Sequence, residues 1–219
     1  MAEPSEVAAT ARETAGDGNP EIPDERALRA KLADASVVIL GCGGLGSNAA
    51  AMLLRSGVKG LTLVDFDSVE ESNLNRQLFF RDQIGRPKTE CLAETLLRID
   101  PEARLTLVHE VLTPENLAGI VRGHDVIIEA VDGAEAKAMI LDVCCTQCPD
   151  TPLVTASGLA GVAPANQVVT ERLADNVYVV GDLESDVRDG HPLLASRVMV
   201  AAAHEAHAAI RLILGYSEP

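Results

Sequence analysis

Residues 36–65 read SVVILGCGGLGSNAAAMLLRSGVKGLTLVD, and this stretch decides the fold. Ser36–Leu40 is a short aliphatic, β-branched run that stops at a glycine, the pattern of a strand buried on both faces. Gly41, Gly43 and Gly46 then satisfy G-x-G-x-x-G, with Gly44 as a fourth glycine in the turn. Ser47–Ser56 reads as a helix ending at Gly57, and Leu61–Val64 as a second strand that delivers Asp65. Strand, glycine turn, helix, strand and acid make a complete βαβ unit of about thirty residues. The glycines permit a tight turn and close approach of a phosphate, whose charge the helix N-terminus favours. Asp65 lies 24 residues after Gly41, where a carboxylate can accept hydrogen bonds from a ribose. These residues signal a nucleotide and leave NAD and ATP both open.

Working outward, the alternation of strand and helix continues. Asp24 is placed to cap a helix running to about Ala33. Lys88–Ile99 reads as a helix, Arg104–His109 as a strand, and Pro114–Val121 as a helix capped by Thr113. Asp125–Ala130 (DVIIEA) reads as another buried strand, Glu135–Cys148 as a helix stopped by Pro149, and Leu153–Ala156 as a strand. Asn166–Thr170 and Asn176–Val180 are then two strands with no helix between them, so the pair is expected to be antiparallel. A long Ala-rich helix, Leu193–Leu214, closes the chain. The expected fold is therefore α/β: a Rossmann-type, mostly parallel sheet with helices on both faces and antiparallel strands near the C-terminus.

The 219 residues suit one such domain, expected over residues 25–219, after a disordered acidic tail over residues 1–24. Residues 1–25 carry one Arg against seven Asp or Glu, unlike the basic start of a signal peptide. No stretch approaches the roughly 20 apolar residues of a membrane span, so no membrane partner is expected. With five cysteines, an odd number, the expected location is the cytoplasm. A net charge of −15, with three Phe, two Tyr and no Trp, supplies neither a basic stripe nor stacking rings and counts against nucleic acid.

The segment after Asp65 separates the nucleotide alternatives. A dehydrogenase would ordinarily continue with a short loop and a helix, whereas residues 64–77 read VDFDSVEESNLNRQ. Taken together, G-x-G-G-L-G-S, V-D-x-D-x-V, S-N-L-N-R-Q and I-G-x-P-K resemble the ThiF, MoeB and HesA family, relatives of the ubiquitin-activating enzymes. The likeness runs from about Val37 to Leu214. It implies adenylation by ATP and Mg²⁺ of the C-terminal glycine carboxylate of a small ubiquitin-like sulfur carrier ending in Gly-Gly. It also implies that Arg76 and Lys88 meet the phosphates, that Asn73 and Gln77 hydrogen-bond around them, and that Asp132 holds the metal. Asp65 would bind the ribose, Asp67 would support the site, and a homodimer is the expected assembly.

The chain also departs from the family pattern. Cys144, Cys145 and Cys148 lack the second C-x-x-C pair that completes a structural zinc site in many members, so zinc is not expected. Residues 157–219 contain no cysteine for a covalent step, which implies adenylation alone with sulfur from a separate donor. Lys137 stands where relatives often show Arg, and Arg26 and Arg29 are the candidates for an N-terminal arginine element. His191, His204 and His207 read as surface or packing residues, and Asp182 and Arg197 have no assigned role. In length and C-terminal sequence the chain looks most like the compact, zinc-less ThiF-like proteins of thiamine synthesis. Activation of a tRNA or small-molecule carboxylate on the same fold is the alternative. An NAD-dependent dehydrogenase would leave Arg76, Gln77 and Lys88 without purpose, and a non-enzymatic binding module would leave Lys88 and Asp132 equally unexplained.

Overall fold

The computed structural model describes residues 24–218, so the expected acidic tail lies, except for Asp24, outside the described residues. Among the described residues, seven strands form a single sheet: β1 Ser36–Leu40, β2 Gly60–Val64, β3 Arg104–Val108, β4 Val126–Glu129, β5 Leu153–Ala156, β6 Val169–Ala174 and β7 Val177–Gly181. Their order is β3-β2-β1-β4-β5-β7-β6. All neighbours pair in parallel except β6 and β7. The expected fold class is therefore the observed one, with the antiparallel element reduced to a single edge strand.

Six α-helices among the described residues cover the sheet: α1 Glu25–Asp34, α2 Gly44–Arg55, α3 Lys88–Ile99, α4 Pro114–Val121, α5 Ala134–Gln147 and α6 Ala195–Leu214. Side chains alternate along each central strand, so each sends residues into two separate cores. Val37, Ile39, Leu61, Leu63, Val126 and Ile128 pack with α2, α3 and α6 on one face. Val38, Leu40, Val64 and Ile127 pack with α4 and α5 on the other. Most of these side chains are fully buried, and each contributes roughly 1.5–3 kcal/mol through the area removed from water. Among the described residues, no helix is long and apolar enough to cross a membrane.

Two elements differ from the sequence reading by about a helical turn or more, the rest by one or two residues. Helix α2 begins at Gly44, not Ser47, so half of the glycine stretch is its first turn. Residues 165–167 form a 3₁₀ turn after Pro164, and β6 starts only at Val169 and runs on through Ala174. Glu171 and Arg172 put one charge on each face of this exposed edge strand, which discourages pairing with another chain but erases the apolar alternation that marks a strand. The caps behave as read: Asp24 accepts the Ala27 amide at 2.9 Å, and Thr113 accepts that of Asn116 at 3.4 Å.

Helix α6 carries an acid on its buried stripe. Glu205 is fully buried beside Ala201, Ala202, Ala208 and Ala209, and neither of its carboxyl oxygens has a partner among the described residues. Burial, reinforced by the charge of Glu129 and opposed by Lys137, holds its pKa well above the ordinary carboxylate value. A carboxyl that is harder to ionise when folded is no burden below its unfolded pKa and destabilises increasingly as pH rises above it. Glu205→Gln is therefore expected to raise the melting temperature at pH 8, with the gain shrinking toward zero near pH 4. Thermal unfolding of both proteins across that range checks it; a pH-independent difference would show that ionisation at Glu205 is not the cause.

Candidate functional site

The strand order reverses between β1 and β4, and ligands of open α/β sheets bind outside the C-terminal strand ends at such a point. The glycine turn leaves β1 here. Gly41 has φ +100°, and an added Cβ would stand 2.7 Å from the Ala130 carbonyl oxygen after β4. At Gly46 a Cβ would stand 1.9 Å from the carbonyl oxygen of Gly41, so this glycine lets α2 close onto the end of β1. Gly43, the residue before α2, differs: its nearest neighbour would be Gln77 Nε2, 3.8 Å away. Two glycines serve backbone packing, and Gly43 leaves room in front of the helix. The first turn of α2 holds no acidic residue, so its free amides and partial positive charge stay available to an anion.

Asp65 joins this turn to the segment after β2. One carboxylate oxygen accepts the Cys42 amide at 2.7 Å and the other the Asp67 amide at 2.8 Å. Each oxygen retains a further lone pair for a hydroxyl donor. Asp67 in turn accepts from the Lys88 ammonium at 2.8 Å, while its carbonyl receives the Lys88 amide at 2.9 Å. The Lys88 side chain is 8% exposed and that of Asp67 49%, so a buried cation is held by a half-exposed anion that faces the site. Burial first, then the negative charge of Asp65, pushes the Cys42 thiol well above its usual pKa, which leaves a neutral, inert sulfhydryl inside the turn.

Residues 70–77 close over the front of the turn. Asn73 Oδ1 accepts the Glu70 amide at 3.0 Å and so shapes a 3₁₀ turn, while its Nδ2 has only a 3.4 Å contact with Ser72 Oγ. The stem of Arg76 lies over Gly44, with Cγ 3.4 Å from the position of a Cβ there. Its Nη1 donates to Asn75 Oδ1 at 2.9 Å and more weakly to the Ser72 carbonyl. Gln77 is buried, and its Oε1 has no partner among the described residues. An unsatisfied buried amide oxygen costs about 1–3 kcal/mol, so a bound donor is the natural way to satisfy it.

Two α2 residues that carry no motif hold this segment in place. Ser47 Oγ donates to the Gly43 carbonyl and accepts the Leu78 amide at 3.0 Å. Asn48 Nδ2 donates to the carbonyls of both Gly44 (2.7 Å) and Arg76 (3.1 Å). The legible signal was two polar residues opening an otherwise apolar helix. Asp132 lies on the loop after β4, exposed, and its carboxylate has no hydrogen-bond partner among the described residues. That loop touches the glycine turn at Gly41, so Asp132 joins the same strand-end cleft from its other side.

The residues present fit a magnesium nucleotide. The helix N-terminus, Arg76 and Lys88 suit phosphates, and one free carboxylate with water and phosphate oxygens makes an ordinary magnesium shell. Among the described residues, no three His, Cys, Asp or Glu converge as a metal cage. Cys144 and Cys148 are buried at the end of α5 and Cys145 is exposed; burial foremost pushes the Cys144 thiol up to about 12. Arg29 pairs with Glu25 on the exposed face of α1.

Asp182 and Arg197 now have a place. They form a buried ion pair at 2.5 Å, and Arg197 Nη1 also donates to the Ala163 and Pro164 carbonyls. Burial would raise the Asp182 pKa, but the Ser185 and Glu184 amides and Arg197 outweigh it and lower the value. The pair clamps the loops after β5 and β7 to the start of α6.

The ThiF family matches residues 19–219 of the chain. The chain is 36% identical over 162 residues to the tRNA threonylcarbamoyladenosine dehydratase of Escherichia coli K12, covering 73% of this chain and 59% of that protein. It is 38% identical over 130 residues to the sulfur carrier protein ThiS adenylyltransferase of the same organism, covering 59% and 51%. The chain thus spans little more than half the length of these relatives. The crystal structure of E. coli tRNA N6-threonylcarbamoyladenosine dehydratase in complex with ATP superimposes with a TM-score of 0.78 at 29% identity, covering 87% of this chain and 89% of that one.

Gly46→Ala is expected to destabilise the protein by about 3 kcal/mol, because a methyl group has no room against the Gly41 carbonyl. Urea unfolding checks this; an unchanged midpoint would mean that the turn relaxes freely.

Proposed function

Because the chain belongs to the ThiF family, we propose that it is an ATP-dependent adenylyltransferase acting on the C-terminal glycine carboxylate of a small ubiquitin-like sulfur carrier. The observation that carries this reading is the buried, unpartnered Gln77 oxygen, whose amide borders the open space at Gly43, with the stem of Arg76 over Gly44. In the reaction a carboxylate oxygen of the carrier attacks the α-phosphorus of ATP. The bond from that phosphorus to the β-bridging oxygen breaks, and pyrophosphate leaves with the electron pair. The attacking carboxylate is already deprotonated and the leaving group departs as an anion, so the step needs charge neutralisation and alignment rather than a general base.

The side chains divide that work. Lys88 and Arg76 offset the charge on the phosphates, and Asp67 keeps the buried Lys88 ammonium aimed at the cleft. Gln77 and the amide nitrogen of Asn73 supply hydrogen bonds, and Asp65 uses its remaining lone pairs on the ribose. Asp132 would hold Mg²⁺, which supplies further neutralisation of the phosphate oxygens. A homodimer, a separate sulfur donor, and service to the synthesis of thiamine or a related sulfur-containing cofactor belong to the same reading. The side chain of Cys145 is the one exposed thiol among the described residues and lies at the end of α5.

A second reading, activation of a carboxylate carried on tRNA, is favoured by the likeness to the dehydratases. The net charge of −15 opposes it, since tRNA binding depends on neutralising phosphates with Lys and Arg. The exposed apolar residues Val162 and Leu194, at the mouth of the loops clamped by Arg197, suit a protein tail better.

Calorimetric titration with MgATP should give saturable binding, weakened roughly tenfold to a hundredfold in Lys88→Ala and Arg76→Ala, the range expected for hydrogen bonds to charged groups. Gly43→Ala should lose at most about 1 kcal/mol as a poorer N-cap yet bind MgATP clearly more weakly, because its methyl group enters the open space of the site. Tight NAD binding without MgATP binding would overturn the proposal. Transfer of labelled AMP to a carrier ending in Gly-Gly, and none to tRNA, separates the two substrates; the reverse pattern establishes the second reading.

A further inference from the structure

The loop that carries Asp132 is held from behind by a buried polar group outside every motif. Glu129, the last residue of β4, is fully buried, and both of its carboxylate oxygens are occupied. Oε1 accepts the Val131 amide at 2.8 Å and the Lys137 ammonium at 2.9 Å. Oε2 accepts the same ammonium at 2.7 Å and the Thr155 hydroxyl of β5 at 2.5 Å. One carboxylate thus joins the end of β4, the neighbouring strand, the loop itself and the start of α5.

The loop between these points has little freedom. The Ala130 amide donates to the Leu40 carbonyl at 2.8 Å, and the Val131 amide goes to Glu129. On the far side, the Gly133 carbonyl accepts the Lys137 amide at 2.9 Å, so the residue that grips Glu129 also fixes the loop's exit. Only Asp132 lies between. Its flanking backbone is tied down on both sides while its own carboxylate has no hydrogen-bond partner among the described residues. Stability alone is a poor reason for this arrangement, because a buried ion pair often does no better than apolar groups of equal volume. Apolar groups could not fix the Val131 amide or the direction of the loop.

We infer that Glu129, Lys137 and Thr155 are positioning residues, a buried strut that aims the Asp132 carboxylate at the metal of the bound nucleotide. The inference rests on the adenylation reading above. Residues behind a metal ligand typically change metal affinity by about 10–100-fold when removed. The strut acts on the metal end of the site and leaves the ribose and glycine-turn contacts alone.

The test is calorimetric: the chain binding ATP with magnesium varied, and ATP binding with the metal removed by chelator. Glu129→Gln/Lys137→Met, which avoids leaving a lone buried charge, and the milder Thr155→Val are expected to need about tenfold more magnesium for half-saturation. Their metal-free ATP affinity should match the parent's. Lys137→Arg, whose guanidinium can still bridge both carboxylate oxygens, should restore the parental magnesium requirement. A magnesium requirement within about twofold of the parent in variants that fold would overturn the strut, as would equal weakening with and without metal. If the double variant does not fold, Thr155→Val decides by the same measurement. Loss of magnesium dependence in Asp132→Asn with no change in the strut variants would overturn this inference and leave the adenylation reading standing. A parent protein that binds no MgATP would overturn both.

Discussion

The carboxylate of Asp65 is the constraint on which the rest of the site depends. Two strands end side by side, β1 at Leu40 and β2 at Val64, and the chain leaves each in a different direction. Asp65 accepts one backbone amide from each departing segment, at Cys42 and at Asp67. Those two hydrogen bonds fix where the glycine turn sits and where residues 67–77 set out. The placement of Lys88 follows, because both its backbone amide and its ammonium are held by Asp67. A neutral side chain of the same shape would offer a poorer acceptor to two amides at once, since hydrogen bonds to an ionised acceptor are the stronger kind.

Around that junction, fixed and free groups are sharply divided. Ser47 and Asn48 tie the first turn of α2 to the segment at Arg76 and Leu78, while Gly41 and Gly46 close the turn onto the backbone of β1 and β4. Gln77 Oε1 and the space before Gly43 are left over on one side, and the Asp132 carboxylate is left over on the loop whose backbone meets Gly41. A rigid back with unsatisfied groups in front is what preorganisation requires: ligand binding then orders little that was not already ordered.

How much of this could be read in advance follows from periodicity and spacing. The central strands β1, β2, β4 and β5 were legible because burial on both faces demands unbroken aliphatic runs, and glycines mark where they stop. The site motifs were legible because they are contiguous. Edge strand β6 was misplaced because its outward residues answer to solvent rather than to a core. Glu129, Thr155 and Lys137 lie on three elements, and Asp182 and Arg197 on the loop after β7 and on α6, so no spacing rule links them. An acid ending the apolar run VIIE was visible as an oddity, but its partners come from the strand order, which brings β5 beside β4. Glu205 was hidden for the opposite reason. A single acid in an Ala-rich helix reads as solvent-facing, and only the packing of α6 shows it buried.

The Lys88–Asp67 pair bears on how a strongly acidic protein could keep the proposed phosphate site ready. A buried ammonium with no counter-ion would tend to lose its proton, and one whose counter-ion was also buried would be bound too firmly to be shared. Here the cation is nearly buried and the anion half exposed, so the pair's charge is partly screened from the water side and the ammonium keeps unused donors. An arriving phosphate need not displace Asp67; it can take another proton of the same ammonium. Arg76 lies over Gly44 with one nitrogen engaged by the backbone and Asn75, which leaves its remaining donors free. Arg76 over the N-terminus of α2, with Lys88 held by Asp67, supplies local positive charge that the overall charge of −15 does not cancel, because exposed charges beyond about 10 Å are largely screened by salt.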